Sequence, residues 1–268
     1  MNINKFKKYQ FQIDDKTISY LQSGKGPTIL FLHGLGIGTN IWNYVIPYLS
    51  NKHTIILLDL PGYGLNKDLF INPKFNDLTK FISDFIEREK SIEYLVGYSI
   101  SGALSYRIAQ KPPSSLKKII CVSTPIFKSS SIVLLNWVFR IIGSNLFITK
   151  IVKFLIVRFP IKHLIFLLGG LASVTNPKAM NECMRKFGVN TNLSYIFTFA
   201  STIFLPTQFA PIIIPVKYIY GERDGFATPQ NYLESNNFYI IKGAYHLLPL
   251  EKPMELARLI EKVIMLNL

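Results

Sequence analysis

Leu95-Val96-Gly97-Tyr98-Ser99-Ile100-Ser101-Gly102 is the stretch on which the reading of this 268-residue chain turns. An apolar, strand-like run ends, a serine follows between small residues, and a helical pattern begins. A tight strand-to-helix turn of this kind lifts a serine hydroxyl clear of a sheet. Its strained backbone brings the flanking residues together, so the positions two before and two after the serine must be small. Gly97 and Ser101 meet that need. The usual pattern has glycine at both positions, so Ser101 departs from it, with Gly102 directly behind. A serine at a helix start is also an ordinary N-cap, and this motif alone does not separate the two roles.

Outward from this point, short apolar runs alternate with helical patterns. Residues 11–13 and 18–21 flank the turn Asp14-Asp15 as an opening hairpin. Strands are expected at Thr28–Leu32, Thr54–Leu58, residues 94–96, Lys118–Val122, residues 216–220 and Phe238–Ile241. Runs apolar on both faces suit a sheet covered on both sides. Between them, residues 75–90 place Leu78, Phe81, Ile82, Phe85 and Ile86 at helical spacing. Residues 101–110 form a helix that stops at Pro112-Pro113, and Pro253 opens a last helix over residues 254–265. Alternation of this kind predicts an α/β fold with a mostly parallel central sheet flanked by helices. The rhythm breaks from about Pro125 to Pro211, which is apolar, aromatic and basic. The expected organisation is therefore a core of residues 1–124 and 212–268, with residues 125–211 inserted as a helical cap at the sheet's C-terminal edge.

Three further motifs fall at strand ends. Phe31-Leu32-His33-Gly34-Leu35-Gly36 follows the first buried strand. Its glycines permit a sharp turn that aims a backbone N–H at the serine, so the N–H groups of Leu35 and Ile100 are candidates for an oxyanion hole. No Lys-Ser/Thr pair follows, so it is not a phosphate loop. Tyr220-Gly221-Glu222-Arg223-Asp224-Gly225 and Gly243-Ala244-Tyr245-His246 end the last two strands. A lone aspartate in a turn is usually a turn former. Here the chain order is serine, acid, histidine, each at the edge where a parallel sheet presents its ligands. Asp59 and Glu222 are competing acids; the Leu60-Pro61-Gly62-Tyr63-Gly64 context of Asp59 reads as structural support. His53, at a strand start, is expected to be solvated, and His163, among cap hydrophobes, to be packed or interfacial.

In these motifs the chain resembles the α/β-hydrolase superfamily, in its serine-hydrolase, esterase- and lipase-like branch. The matches are His33-Gly34, Asp59 to Gly64, Gly97 to Gly102, Gly221 to Asp224, and Gly243 to His246 with Glu251-Lys252-Pro253 behind. They run in family order over nearly the whole chain apart from the cap. The resemblance implies Ser99 as nucleophile, His246 as base and Asp224 as orienting acid. It argues against the haloalkane dehalogenase and epoxide hydrolase branches, which carry aspartate at the position of Ser99. The implied reaction is acyl transfer through an acyl-enzyme, with no metal and no organic cofactor.

Composition bounds the remainder. Cys121 and Cys183 stand far apart, which fits buried thiols and not a disulfide framework or zinc site. The net charge is +14, yet no nucleic-acid-binding motif accompanies it, and no nucleic-acid partner is expected. Basic Met1 to Lys8 lacks a following apolar run, so no secretory signal is expected, and the expected setting is cytoplasmic. Residues 131–174 join aromatic and aliphatic runs to Arg140, Lys150, Lys153, Arg158 and Lys162 without one Asp or Glu. Such a segment suits an acyl-chain pocket or a peripheral membrane contact; it equally suits helices that bury one face and solvate their lysines. The function expected from all this is cleavage of a hydrophobic, lipid-like ester. Thioester, amide and C–C bond cleavage, lyase chemistry, and a non-catalytic protein that binds an apolar ligand or membrane remain open alternatives.

Overall fold

Strands form where β-branched and aromatic residues run together. Thr28–Leu32 (TILFL) and Thr54–Leu58 (TIILL) are almost wholly buried and lie side by side at the centre of the sheet. A computed structural model describes residues 6–13, 15–125, 130–158, 192–202, 211–225 and 237–266. Asp14, Lys162, His163, Cys183 and much of the stretch 125–211 lie outside the described residues.

Eight strands make one sheet: β1 (Lys7–Ile13), β2 (Lys16–Gly24), β3 (Thr28–Leu32), β4 (Thr54–Leu58), β5 (Ile92–Tyr98), β6 (Lys118–Val122), β7 (Val216–Gly221) and β8 (Phe238–Ile241). Their order is β1-β2-β4-β3-β5-β6-β7-β8. The opening hairpin and the β2/β4 pair are antiparallel, and every other pair is parallel. The expected strands therefore form, several of them a residue or more longer than the apolar runs suggest, because ladder pairing continues past the apolar stretch. β1 is largely exposed and begins with Lys7 and Lys8, charges that blunt a sheet edge against further pairing.

Helices cover both faces. On one lies α1 (Phe75–Arg88), which buries Phe75, Leu78, Phe81, Ile82, Phe85 and Ile86. Each such side chain contributes about 1.5–3 kcal/mol of burial. It packs on α2 (Ile100–Ile108), which rests on β5 and β6. Between β6 and β7 the described elements are helices: α3 (Ser130–Ser144), α4 (Leu146–Arg158) and α5 (Leu193–Ala200). After β8 come the short α6 (Leu248–Glu251) and α7 (Pro253–Met265). α7 fills the second face with Leu256, Ile260, Val263 and Ile264 against Trp42, Ile120 and Ile219. Lys118 Nζ reaches from β6 to the carbonyls of Val263 (2.6 Å) and Leu266 (2.8 Å), satisfying acceptors that a helix end leaves open.

His53 is not solvated as the sequence suggests. It is buried, and its Nε2 lies 2.6 Å from Glu261 Oε2 on α7, a partner 208 residues away that covers the start of β4. No described helix is long and apolar enough to cross a membrane.

Candidate active site

The β5–α2 turn carries Ser99 at φ 54°, ψ −118°, a conformation a non-glycine residue adopts only when its surroundings enforce it. Two hydrogen bonds and one close approach of the backbone do so here. The Ser99 N–H donates to Val122 O on β6 (2.8 Å), and the Gly102 N–H donates to Ser99 O (3.0 Å). A Cβ at Gly97 would meet Ser101 O at 2.5 Å, so no larger residue fits under the turn. Ser99 occupies the N-cap position of α2, yet its side chain makes no capping bond. Its Oγ lies 3.1 Å from His246 Nε2 instead.

His246 and Asp224 come from the ends of β8 and β7. His246 Nδ1 stands 3.1 Å and 3.0 Å from the two carboxylate oxygens of Asp224. A carboxylate accepts only, so Nδ1 carries the proton and Nε2 is left as the acceptor facing Ser99. All three side chains are buried. The two loops are stitched to each other: the Glu222 N–H donates to Ile241 O (3.0 Å) and the Arg223 N–H to Ala244 O (2.8 Å). The Tyr98 hydroxyl donates to His246 O (3.1 Å), and the Tyr245 N–H donates to Glu251 Oε2 (2.7 Å). The histidine backbone is thus held on both sides.

The competing acids are engaged elsewhere. Glu222 Oε2 accepts the Gly243 N–H (2.8 Å). Asp59 accepts the N–H groups of Thr39 (2.9 Å) and Leu65 (3.1 Å), which orders the loops after β3 and β4. His33 is fully buried; burial holds its imidazole below the ordinary value against the opposing pull of Asp59. Neutral His33 accepts the Leu60 N–H on Nε2 (3.0 Å) and donates from Nδ1 to Gly34 O (2.9 Å). Burial pushes the Cys121 thiol well up, which keeps it protonated and unreactive.

The loop carrying Leu35 closes over the serine. A Cβ at Gly34 would stand 2.8 Å from the Tyr98 ring and 3.2 Å from Ser99 Cβ, so only glycine lets the loop approach this closely. The Leu35 N–H makes no backbone hydrogen bond among the described residues, and Ile100 opens α2, where a helix leaves its N–H groups unpaired. Two groups that brace this loop were not singled out from the sequence. Ser101 Oγ donates to His33 O, and the Tyr63 hydroxyl accepts the Gly36 N–H (3.1 Å) while its ring lies 4.4 Å from that of His33. The sequence shows a serine at a position usually glycine and an aromatic within the Asp59–Gly64 motif, but neither pattern names the distant atom it bonds.

An α/β-hydrolase family model, described as "alpha/beta hydrolase fold", matches residues 27–143. A pimeloyl-[acyl-carrier protein] methyl ester esterase of Legionella pneumophila (strain Corby) is 33% identical over 107 residues, covering 40% of this chain and 42% of that protein. The alignment thus spans well under half of the curated relative's length. Among solved structures, an esterase from Thermogutta terrifontis aligns with TM-score 0.74 at 15% identity, over 96% of this chain and 98% of that one. A lipase-like protein from Acinetobacter baumannii AYE, described as a "putative lipase", gives TM-score 0.74 at 18% identity, over 98% and 92%. The chain has the α/β-hydrolase fold.

Proposed function

We propose that this protein is a carboxylic-ester hydrolase for hydrophobic esters, with Ser99 as nucleophile, His246 as general base and Asp224 as orienting acid. The observation that carries the reading is the Ser99 hydroxyl. It stands at a helix N-cap, forgoes the cap, and hydrogen-bonds to His246 Nε2 from a strained backbone. His246 takes the hydroxyl proton as Oγ attacks the acyl carbonyl, and Asp224 stabilises the imidazolium that forms. The N–H groups of Leu35 and Ile100 receive the developing oxyanion; a single such donor is worth about 10²–10³ in rate. The protonated His246 then gives its proton to the leaving alcohol, and the acyl-enzyme is released by water that His246 deprotonates. The methyl ester named in the Legionella relative's activity agrees with a carboxylic ester as the bond cleaved. In this reading residues 125–211 form a helical cap on a core of residues 1–124 and 212–268, and the cap's apolar character favours an acyl chain.

A fluorophosphonate probe should label the protein once, on Ser99. p-Nitrophenyl esters of increasing acyl length should be turned over, with kcat/KM rising with length. Ser99→Ala should lose both labelling and turnover while its far-UV spectrum and Tm stay unchanged. Turnover retained in a folded Ser99→Ala protein overturns the assignment.

A further inference from the structure

We propose that α3 and α4 dock the protein on a membrane surface containing anionic lipid, with the headgroup taken in the basic cleft beside α4. This pair carries apolar side chains on its outer side as well as its inner one. Phe139, Ile142 and Val152 turn inward to Leu193 and Phe197 of α5. Trp137, Leu146 and Phe147 do the opposite, with 63%, 68% and 72% of their surface exposed, and Ile141 and Ile151 are exposed as well. Trp137 and Ile141 lie one turn apart on α3, and Phe147 and Ile151 one turn apart on α4, so each helix carries an exposed apolar stripe, the kind of surface that marks a contact site.

The charge around it selects the partner. From Tyr94 to Asn181 the sequence holds no Asp or Glu, while Arg140, Lys150 and Lys153 lie on these two helices. Lys67, Lys150 and Lys153 line one cleft of about 330 Å³, together with Asp68, Leu146, Thr149, Asn192, Leu193 and Ser194. Lys67 is paired to Asp68 at 3.0 Å, so Lys150 and Lys153 carry the attraction. The Thr149 and Ser194 hydroxyls donate to the carbonyls of Ile142 (2.6 Å) and Gly143 (3.0 Å), so the attraction for a phosphate-bearing headgroup rests on the two lysines. Leu146 belongs to both the cleft and the exposed apolar set, and Phe147 is its neighbour. A lipid phosphate in the cleft would therefore sit beside side chains able to enter the acyl region. A neutral apolar partner would leave the lysines unpaired, and a soluble anion would leave the aromatics in water; an anionic lipid surface satisfies both. This inference stands apart from the hydrolase reading, because it concerns binding alone.

The chain carries its own reporter. Of its two tryptophans, Trp42 is fully buried and Trp137 lies on the exposed side of α3. The full protein is mixed with vesicles of pure phosphatidylcholine, or of phosphatidylcholine with one-quarter phosphatidylglycerol, and followed by flotation and tryptophan emission. Association with the anionic vesicles, a blue shift quenched by brominated acyl chains, and loss of both in 0.5 M NaCl are expected. Arg140→Gln/Lys150→Gln/Lys153→Gln should weaken partitioning by at least tenfold, since each basic residue near such a surface counts for about fivefold. Phe147→Ser should also weaken it, and Trp137→Phe should remove the spectral change while flotation persists. Equal binding to neutral vesicles overturns the proposal, as does flotation without a Trp137 response. Trp137 emission that is already blue and indifferent to vesicles also overturns it, by showing this face covered by another copy or by the chain itself. Loss of vesicle binding in 10 mM inorganic phosphate at constant ionic strength supports the cleft as the headgroup site; undiminished binding there overturns that part. Ser99→Ala should bind vesicles like the unaltered protein, which keeps this test separate from that of hydrolysis.

Discussion

At the scale of single residues, the proposed reaction divides the site into groups that would react and groups that would aim them. If Ser99, His246 and Asp224 act as one unit, each alanine variant should lose most of kcat, and His246→Ala/Asp224→Ala should lose little more than the worse single change. Glu222→Ala should be mild, because Glu222 holds the Gly243 N–H and not the histidine; steady-state kinetics on a short ester decide between this and additive losses. The Leu35 N–H is flanked by two pinned peptides: Ser101 Oγ holds His33 O on one side and the Tyr63 hydroxyl holds the Gly36 N–H on the other. Both are positioning residues in this account. Tyr63→Phe and Ser101→Gly should each lower kcat by roughly tenfold with KM little changed, a fraction of the loss on removing an oxyanion donor. Their pH profile should keep its shape, since His246 is untouched. A fall in Tm with unchanged kcat would reduce both to structural roles. That Ser99, Asp224 and His246 come together was legible because each lies within five residues of the end of a strand. Tyr63 and the Ser101 hydroxyl were not, because their bonds join residues 27 and 68 positions apart, and no local pattern encodes such a pairing.

At the scale of elements, the strands and helices were legible from period and punctuation, and their ends were not. Phe75, Leu78, Phe81, Ile82, Phe85 and Ile86 announce α1, yet it closes at Arg88 while the apolar and charged pattern runs on to Lys90. His53 shows a deeper limit: its environment is made by α7, an element some 200 residues distant. Glu261 of α7 accepts from Lys52 Nζ (3.2 Å) and pairs with His53 Nε2 (2.6 Å). Burial raises the Glu261 carboxyl, but the hydrogen bonds from His53 and Lys52 outweigh it and leave Glu261 below its ordinary value of 4.5. A carboxylate whose value is depressed by folding stabilises the protein above its unfolded value and loses that contribution as pH falls through the folded one. Glu261→Gln should therefore cost roughly 1–2 kcal/mol at pH 7. The gap between it and the unaltered protein should narrow as pH drops below about 4.5. Urea melts at pH 7, 5 and 3.5 test this; a gap independent of pH would mean that Glu261 acts by packing and not by charge.

At the scale of the whole molecule, the parallel strand order gathers Ser99, Asp224 and His246 at one edge, across 147 residues between the first and last. That gathering was legible in outline, since consecutive βα units place every strand's C-terminal end on the same side. What α3, α4 and α5 pack on was not, because apolar helical runs without alternation carry no register that names a partner. Charge is the other molecular property, and it is uneven. Against 30 Lys and Arg stand 16 Asp and Glu, and Glu182 is the one acidic residue between Glu93 and Glu222. Such an excess destabilises a compact state through self-repulsion, while exposed pairs such as Lys80–Asp84 contribute little in water. Monovalent salt screens both, with a Debye length of about 10 Å at 0.1 M. Repulsion acts over the longer distances and dominates the sum, so raising NaCl from about 10 mM to 0.3 M should stabilise the fold by roughly 1 kcal/mol, or about 2–4 °C in Tm. Potassium chloride should act alike, because the effect is screening and not ion binding. A Tm that falls with salt would show that the surface ion pairs outweigh the repulsion, and that the basic excess lies far enough apart in the folded protein to cost nothing.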